Sequence, residues 1–399
     1  MTTYGDVESP RWIASRHNFD PAIAIEPRPV ELHDLTLRDG EEAADLAYTT
    51  ADKVKLAEAL ARLGIKRTEV FLTVPGWREV VRSIISRNLG LDLWVTWQPD
   101  RVQAALDLGA RHVFVWYRIG NAFQHIVDGR ERSVSYEAML GAVRRAKAAG
   151  CTVNLFLPEA TRADLEHITE AAQAAEREGA TYVTIVDSQG VARPGAIAHL
   201  VRHVKAHTGL KVEVHCHNDF GLAVANVLAA YEAGADVLQV SLNGVGYRAG
   251  NASLESVAMA LEVLYGVETG LRLDLLHETC RMVEHMTGLA NGYFKPIVGD
   301  GAFRYEQWEM ADRFTRAGER RYAFPFEPEV VGRVPELVVG KWSDKQAVVQ
   351  KLIEYGLTAS AEQIEKIQRR SQRLGAAKGR PLKDDEFLAV AEAIGVTEV

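Results

Sequence analysis

The chain has 399 residues, which is enough for one large domain of roughly 250 residues and a smaller one. Hydrophobic residues make up 47% and charged residues 25% of the sequence, so the composition excludes general disorder. The formal net charge of -8 argues against nucleic acid as the main partner, because phosphate binding requires a concentrated positive face.

The sequence also bears on the compartment. No apolar run approaches the ~20 residues that span a bilayer, and residues 1–10 lack the basic-then-apolar pattern of a secretory signal. We therefore expect a cytoplasmic protein with no membrane partner. Cys151, Cys216 and Cys280 are too few and too scattered for a disulfide framework.

Residues 1–29 contain four prolines and no sustained period, so they are predicted to form an N-terminal arm that lies on the body or on a partner subunit. Short β-rich segments then alternate with amphipathic helical ones. The eight predicted strands cover residues 30–37, 67–73, 91–97, 112–117, 152–157, 181–186, 211–215 and 236–242.

Helical patterns lie between these strands, for example over residues 50–63, 162–178 and 196–207. Eight alternating units over residues 30–267 match the size of a catalytic (β/α)8 TIM barrel, an α/β fold. An open doubly wound sheet is the structural rival. It would need a glycine-rich phosphate loop after the first strand, and the sequence of residues 38–42, Arg-Asp-Gly-Glu-Glu, is not one.

The alternation stops near residue 267. Residues 268–399 are predicted to form a smaller, mostly helical C-terminal module with a linker. The connection at residues 322–328 is rich in proline and phenylalanine, and helical patterns follow at residues 344–355, 360–374 and 383–394.

Two histidines mark the end of the seventh predicted strand. Residues two apart in a strand point to the same face, so His215 and His217 can present both imidazoles to one metal ion. The pair alone fits a solvent-facing strand end equally well. Asp39, which follows the first strand, adds a carboxylate, and a mixed oxygen and nitrogen set suits Mg²⁺, Mn²⁺, Zn²⁺ or Fe²⁺.

Arginines form a second signal at the strand ends. Their planar guanidinium groups bind carboxylates through two hydrogen bonds or polarise a carbonyl oxygen. The residues concerned are Arg38, Arg118, Arg162 and Arg248. Four of them around one metal predict a small anionic substrate and leave room for two acidic groups, although Arg118 could equally pair with Glu159.

Three segments together resemble the signatures of the DRE-TIM metallolyases, the pyruvate-carboxyltransferase-like group that includes homocitrate, isopropylmalate and citramalate synthases. They are residues 34–41 (Asp-Leu-Thr-Leu-Arg-Asp-Gly-Glu), 215–219 (His-Cys-His-Asn-Asp) and 244–251 (Gly-Val-Gly-Tyr-Arg-Ala-Gly-Asn), on strands one, seven and eight. The resemblance covers roughly residues 30–395, and the overall layout is most similar to a short homocitrate synthase.

The resemblance implies a site. Asp39, His215 and His217 would bind a divalent metal, with Asn251 beside it, and Arg38 would polarise the ketone of a 2-oxo acid. Ser188 and Arg162 would hold the substrate carboxylates. Glu69, in the second predicted strand, joins Arg38 among the catalytic candidates. The family's nucleophile is the enolate of acetyl-CoA, and its members are commonly homodimers.

The sequence departs from the family pattern in the second module. Residues 302–310, Ala-Phe-Arg-Tyr-Glu-Gln-Trp-Glu-Met, lack the two histidines that the synthases carry there, and Trp342 stands where relatives have histidine. Tyr305 or Glu306 could serve as the base if its pKa is shifted, and either could equally be a packing or surface residue. We take Tyr305 as the candidate catalytic base of the second module.

The leading hypothesis is a metal-dependent condensation of an acyl-CoA with a 2-oxo acid. The first alternative is a metal-dependent aldolase or lyase that cleaves a 2-hydroxy acid without CoA. The second is a non-catalytic binding protein on the same scaffold, which predicts weak metal binding.

Overall fold

The computed structural model describes residues 9–97, 101–120, 122, 126, 129 and 131–396. The chain divides into two compact units. One runs from Pro21 to Ala290, and the other combines residues up to Asp20 with those from Asn291 onward. The second unit therefore joins the start of the chain to its C-terminal part.

The first unit is built around a closed barrel of eight parallel strands in sequence order, with β1 paired to both β2 and β8. The strands are β1 (Glu31–Asp34), β2 (Arg67–Val70), β3 (Asp92–Thr96), β4 (His112–Trp116), β5 (Thr152–Leu157), β6 (Tyr182–Asp187), β7 (Lys211–Cys216) and β8 (Val237–Val240). The predicted (β/α)8 TIM barrel is confirmed.

Helices follow the strands and cover the barrel. They are α1 (Thr50–Leu63), α2 (Trp77–Ser86), α3 (Val102–Asp107), α4 (Arg132–Ala148), α5 (Leu165–Arg177), α6 (Pro194–His207), α7 (Ala223–Glu232), α8 (Leu254–Leu264) and α9 (Leu276–Thr287). Helix α1 shows how the local sequence sets both ends. Thr49 and Asp52 form a reciprocal capping box at its start, and Gly64 ends it with a φ of 102°.

The interior of the barrel contains an aromatic cluster. Trp94, Phe114, Phe156 and Tyr182 are buried together, and Trp116 packs against them. The Trp94 and Phe114 ring centroids lie 4.9 Å apart. Polar side chains share this interior, because His33, Arg67 and Glu213 are also buried there.

The second unit contains a two-stranded parallel sheet and four helices among its described residues. They are β9 (Arg304–Tyr305), β10 (Glu336–Leu337), α10 (Glu309–Arg316), α11 (Lys345–Glu354), α12 (Ala361–Lys378) and α13 (Asp384–Glu392). Val348, Leu352, Ile367 and Phe387 form much of its hydrophobic core. Within the described residues, no helix combines the length and the hydropathy of a membrane span.

Candidate metal centre

Three side chains converge at the C-terminal ends of β1 and β7. Asp39 begins a short 3-10 helix after β1, His215 lies in β7, and His217 follows that strand. The Nε2 atoms of the two histidines are 3.2 Å apart, and each lies 4.0 Å from Oδ1 of Asp39. All three residues are buried. Alternation along β7 therefore brings both imidazoles to one side, as the sequence predicts.

The three atoms fit a divalent cation. For a triangle with sides of 3.2, 4.0 and 4.0 Å, a point in its plane lies about 2.2 Å from every corner. Zinc binds imidazole nitrogen at about 2.0–2.1 Å and carboxylate oxygen at about 2.0–2.2 Å. Small side-chain adjustments would therefore bring all three atoms to bonding distance from one ion.

The electrostatics of the cluster also suit a cation. Burial alone would raise the pKa of Asp39, but the Arg38 guanidinium, the two imidazoles and the Asn251 amide hold that pKa well below its usual range. Burial, with His217 beside it, lowers the pKa of His215 well below 6.5, and burial lowers the pKa of His217 in the same direction. An ionised carboxylate and two neutral imidazoles are the protonation states that bind metals.

The loop after β8 closes on Asp39. Asn251 donates from Nδ2 to Asp39 Oδ2 at 2.6 Å and to the Val245 carbonyl at 3.1 Å. Its Oδ1 is buried and has no hydrogen-bond partner among the described residues. Gly246 must lack a side chain, because a Cβ atom there would lie 2.6 Å from Asp39 Oδ2. The structure thus brings Asn251 next to the three converging ligands.

Arg38 and Glu69 lie beside the same carboxylate. Arg38 donates from Nη1 to Asp39 Oδ1 at 2.7 Å and forms an ion pair through Nε with Glu69 Oε1. Its Nη2 atom is buried and has no hydrogen-bond partner in the described part of the chain. Phe71, Trp116 and Phe156 surround the guanidinium at 5.5–5.8 Å from their ring centroids. One donor nitrogen of Arg38 is therefore unpaired.

Two of the remaining arginines pair with carboxylates of the loops at the strand ends. Arg248, with a φ of 56°, donates to both carboxylate oxygens of Asp219 at 2.8 Å and to the Ser188 carbonyl at 2.7 Å. Arg162 donates to Glu159 at 2.6 Å. The Arg248 contacts tie together the loops after β6, β7 and β8, whereas the Arg162 contact lies within the loop after β5.

Ser188 and Arg118 also lie at strand ends. The Ser188 hydroxyl accepts a hydrogen bond from the Glu159 backbone N–H at 2.8 Å, so it connects the loops after β5 and β6. Arg118 follows β4 and is exposed. Their assignment as substrate-binding residues stays a prediction.

Tyr305 belongs to the second compact unit, in β9. Its ring lies 5.4 Å from that of Phe324 and 6.3 Å from that of Trp308. Burial raises the pKa of the Tyr305 phenol, which therefore stays protonated at neutral pH. The neighbouring Glu306 accepts a hydrogen bond from the Trp342 backbone N–H at 2.7 Å.

Sequence reasoning did not identify two polar residues inside the barrel. Glu213 in β7 is wholly buried, and Gln239 in β8 donates to it at 2.7 Å. The available signal was a carboxylate in the middle of an apolar strand, Val212-Glu213-Val214, because such a residue requires buried donors from other strands.

Comparisons with known proteins agree with this architecture. Residues 29–283 match the HMGL-like family. The chain is 35% identical to a probable 2-isopropylmalate synthase of Methanopyrus kandleri, over 92% of this chain and 74% of that one. It is 34% identical to the homocitrate synthase AksA of the same organism, over 89% of this chain and 90% of that one.

Solved structures show the same fold. The structure of a Bacillus subtilis HMG-CoA lyase is similar with a TM-score of 0.61 at 21% identity, over 66% of this chain and 95% of that one. The match over residues 29–283 and the identity to named synthases along most of the chain confirm the DRE-TIM resemblance. The chain belongs to the HMGL-like family.

Proposed function

We propose that the protein catalyses a divalent-metal-dependent condensation of an acyl-CoA, acetyl-CoA in the first instance, with a 2-oxo acid to give a 2-hydroxy acid. The observation that carries this proposal is the convergence of Asp39, His215 and His217 on one point, with an available donor of Arg38 next to it. Relatives at 34–35% identity are named isopropylmalate and homocitrate synthases, which supports the reaction class.

In this proposal Asp39, His215 and His217 hold the metal, and Asn251 lies close enough to complete the set. A bound divalent ion supplies Lewis acidity to the ketone of the 2-oxo acid. Arg38 donates from Nη2 to the ketone oxygen and stabilises the negative charge that forms there when a carbon nucleophile attacks. Glu69 and Asp39 hold the guanidinium in place, since each pairs with a different nitrogen of Arg38.

We further propose that the substrate carries an apolar side chain. Apart from the carboxylates of Asp39, Glu42 and Glu69, the groups around Arg38 are aromatic. They are the rings of Phe71, Trp116 and Phe156, and both Phe71 and Trp116 are partly exposed. Arg162 and Arg248 are already paired with carboxylates of the chain itself. A second substrate carboxylate would meet aromatic surface beside Arg38, so 2-oxo acids with aliphatic side chains are the better fit.

The test is release of free thiol from acetyl-CoA by metal-loaded protein with a panel of aliphatic and dicarboxylic 2-oxo acids. We expect release with an aliphatic acid and its loss in His215→Ala. His203 and His207 form an outward-facing pair on α6 that could bind added metal, so the parent protein and the variant should also be compared in a His203→Ala/His207→Ala background. Absence of thiol release with every acid would contradict the proposal.

A second candidate function is that of a metal-dependent lyase, because the C-terminal part of the sequence offers no histidine to deprotonate acetyl-CoA. The chain has no histidine after His285, and the Tyr305 phenol is protonated at neutral pH. Cleavage of a 2-hydroxy acid needs no acetyl-CoA deprotonation. Release of a 2-oxo acid from candidate hydroxy acids in the absence of CoA would favour the lyase, and Tyr305→Phe would lower thiol release only if the phenol takes part in condensation.

A further inference from the structure

A buried carboxylate organises the polar part of the barrel interior. Glu213 is fully buried, and four side chains from other strands donate to it. They are His33 Nδ1 and Gln239 Nε2, both 2.7 Å from Oε1, and Asn154 Nδ2 and Arg67 Nη2, at 2.7 and 3.5 Å from Oε2. Both oxygens of this carboxylate are therefore engaged.

Glu213 is ionised in this environment. Burial alone would raise its pKa, but the Arg67 guanidinium and His33 lower that pKa to about 2. Arg67 is itself held between the rings of Trp94 and Tyr182, 4.6 Å from each centroid. An ionised carboxylate can only accept hydrogen bonds. Every partner of Glu213 must therefore turn a donor toward it.

This requirement fixes the orientation of the Gln239 amide. Its NH2 group must face Glu213, so its Oε1 atom faces away from the carboxylate. Strand β7 pairs with β8 at Glu213–Val237 and Val214–Leu238, and the next step of that register places His215 opposite Gln239. The amide oxygen is thus directed toward a residue of the candidate metal centre.

The matching atom on His215 is also unpaired. His215 Nδ1 and Gln239 Oε1 are both buried, and neither has a hydrogen-bond partner among the described residues. A buried ring nitrogen that can donate and a buried amide oxygen that can accept thus lie on adjacent strands. A hydrogen bond between them would leave neither atom unsatisfied.

We propose that Gln239, held by Glu213, is a positioning residue that fixes His215 in the tautomer with hydrogen on Nδ1. The Nε2 lone pair is then left for the metal, next to Asp39 and His217. Hydrogen bonding to the second ring nitrogen is a general way to orient a histidine ligand. This inference rests on the proposed metal site and adds a residue that no sequence motif marks.

The decisive variant is Gln239→Leu, which removes both the acceptor for His215 and the donor to Glu213 and puts an apolar side chain of similar size in their place. Asn154→Leu is the matched control, because it removes a donor to the same carboxylate without contacting His215. Co²⁺ affinity is measured with each full-length variant by competition with a chelator. We expect Gln239→Leu to weaken binding by ~10- to 100-fold and Asn154→Leu to leave it unchanged.

Gln239→Glu provides a rescue. Next to ionised Glu213 the new carboxyl group would be protonated, since two adjacent carboxylates cannot both ionise easily. It would then donate its O–H to Glu213 and offer its carbonyl oxygen to His215, as the amide does. Co²⁺ affinity should therefore return to that of the parent protein. Spectra of ¹⁵N-histidine-labelled, Zn²⁺-loaded protein should show the His215 proton on Nδ1 in both the parent and this variant.

The outcomes separate this inference from the metal site itself. Loss of Co²⁺ binding in His215→Ala together with parent-like binding in Gln239→Leu would overturn only the positioning role. Equal weakening in Gln239→Leu and Asn154→Leu would also overturn it, because a polar layer that acts only through stability predicts that result. Unchanged binding in His215→Ala would overturn the metal centre. Thermal melts of each apo variant show that the comparison is made on folded protein.

Discussion

Replacing Arg38 with lysine should separate catalysis from structure at the centre of the site. Nη1 and Nε of Arg38 meet Asp39 and Glu69, whereas Nη2 has no partner among the described residues. A lysine keeps the positive charge between the two buried carboxylates but offers a single ammonium group. The contact that disappears is therefore the one available to the ketone oxygen.

The expected magnitude follows from that lost donor. Removing one donor to a developing oxyanion typically lowers kcat by about 10²–10³, or roughly 3–4 kcal/mol in the activation free energy. Arg38→Met would instead leave Asp39 and Glu69 without their cation, and breaking a buried ion pair in this way costs about 3–5 kcal/mol of stability. Lysine should avoid most of that loss.

Steady-state thiol release at saturating 2-oxo acid measures the effect on kcat, and Co²⁺ competition measures the metal site separately. Arg111→Lys is the control, since Arg111 donates to the backbone carbonyls of Leu106 and Ala110 and precedes β4, whereas the metal centre lies at the C-terminal ends of the strands. We expect a large fall in kcat for Arg38→Lys with little change in Co²⁺ affinity. A kcat close to that of the parent protein would refute the proposed role of Nη2.

Three further predictions concern the barrel. Burial raises the pKa of Asp34 to about 7, so the folded state holds a proton that the unfolded chain releases near pH 4. The free energy of unfolding that this proton contributes should be lost as the pH rises from about 4 to 7. In urea melts, the free energy of unfolding of Asp34→Asn should therefore fall less steeply over this pH range than that of the parent protein. Parallel curves for the variant and the parent would contradict the assignment. Gly246→Ala should abolish Mn²⁺ binding in a calorimetric titration because its Cβ would meet Asp39, whereas Gly195→Ala, with open space around that position, should not. Mn²⁺ at 100 times its Kd should stabilise the folded parent by about 2.7 kcal/mol in thermal melts, and a similar gain in His217→Ala would argue against the assigned ligands.

The barrel could be predicted because its signal is repeated. Eight apolar segments and the glycines between them specify the βα order without long-range information. The predicted positions of the strand ends were less accurate than the predicted order of the elements. Residues 30–37 were predicted as one strand, but β1 ends at Asp34, because the Asp34 carboxylate accepts the Thr36 N–H at 2.9 Å and turns the chain.

The candidate site was predictable where spacing along one strand determines geometry. His215 and His217 share a face because they are two residues apart, and Asp39 follows β1, which β8 separates from β7. The Arg248–Asp219 pair was not predictable, since two loops with no common period bring these residues together. Strands β9 and β10, with two residues each, are too short for any periodicity to reveal.

The four partners of Glu213 come from β1, β2, β5 and β8, so the charge at the centre of the barrel is satisfied by strands from both halves of the barrel sequence. A half-barrel that ends after β4 would contain Arg67 and His33 without their buried anion, and the complementary half would contain the anion without its cation. Neither half can bury its polar residues at low cost alone. The first unit should therefore resist division into independently folding fragments, and the two halves should gain structure only when they are mixed.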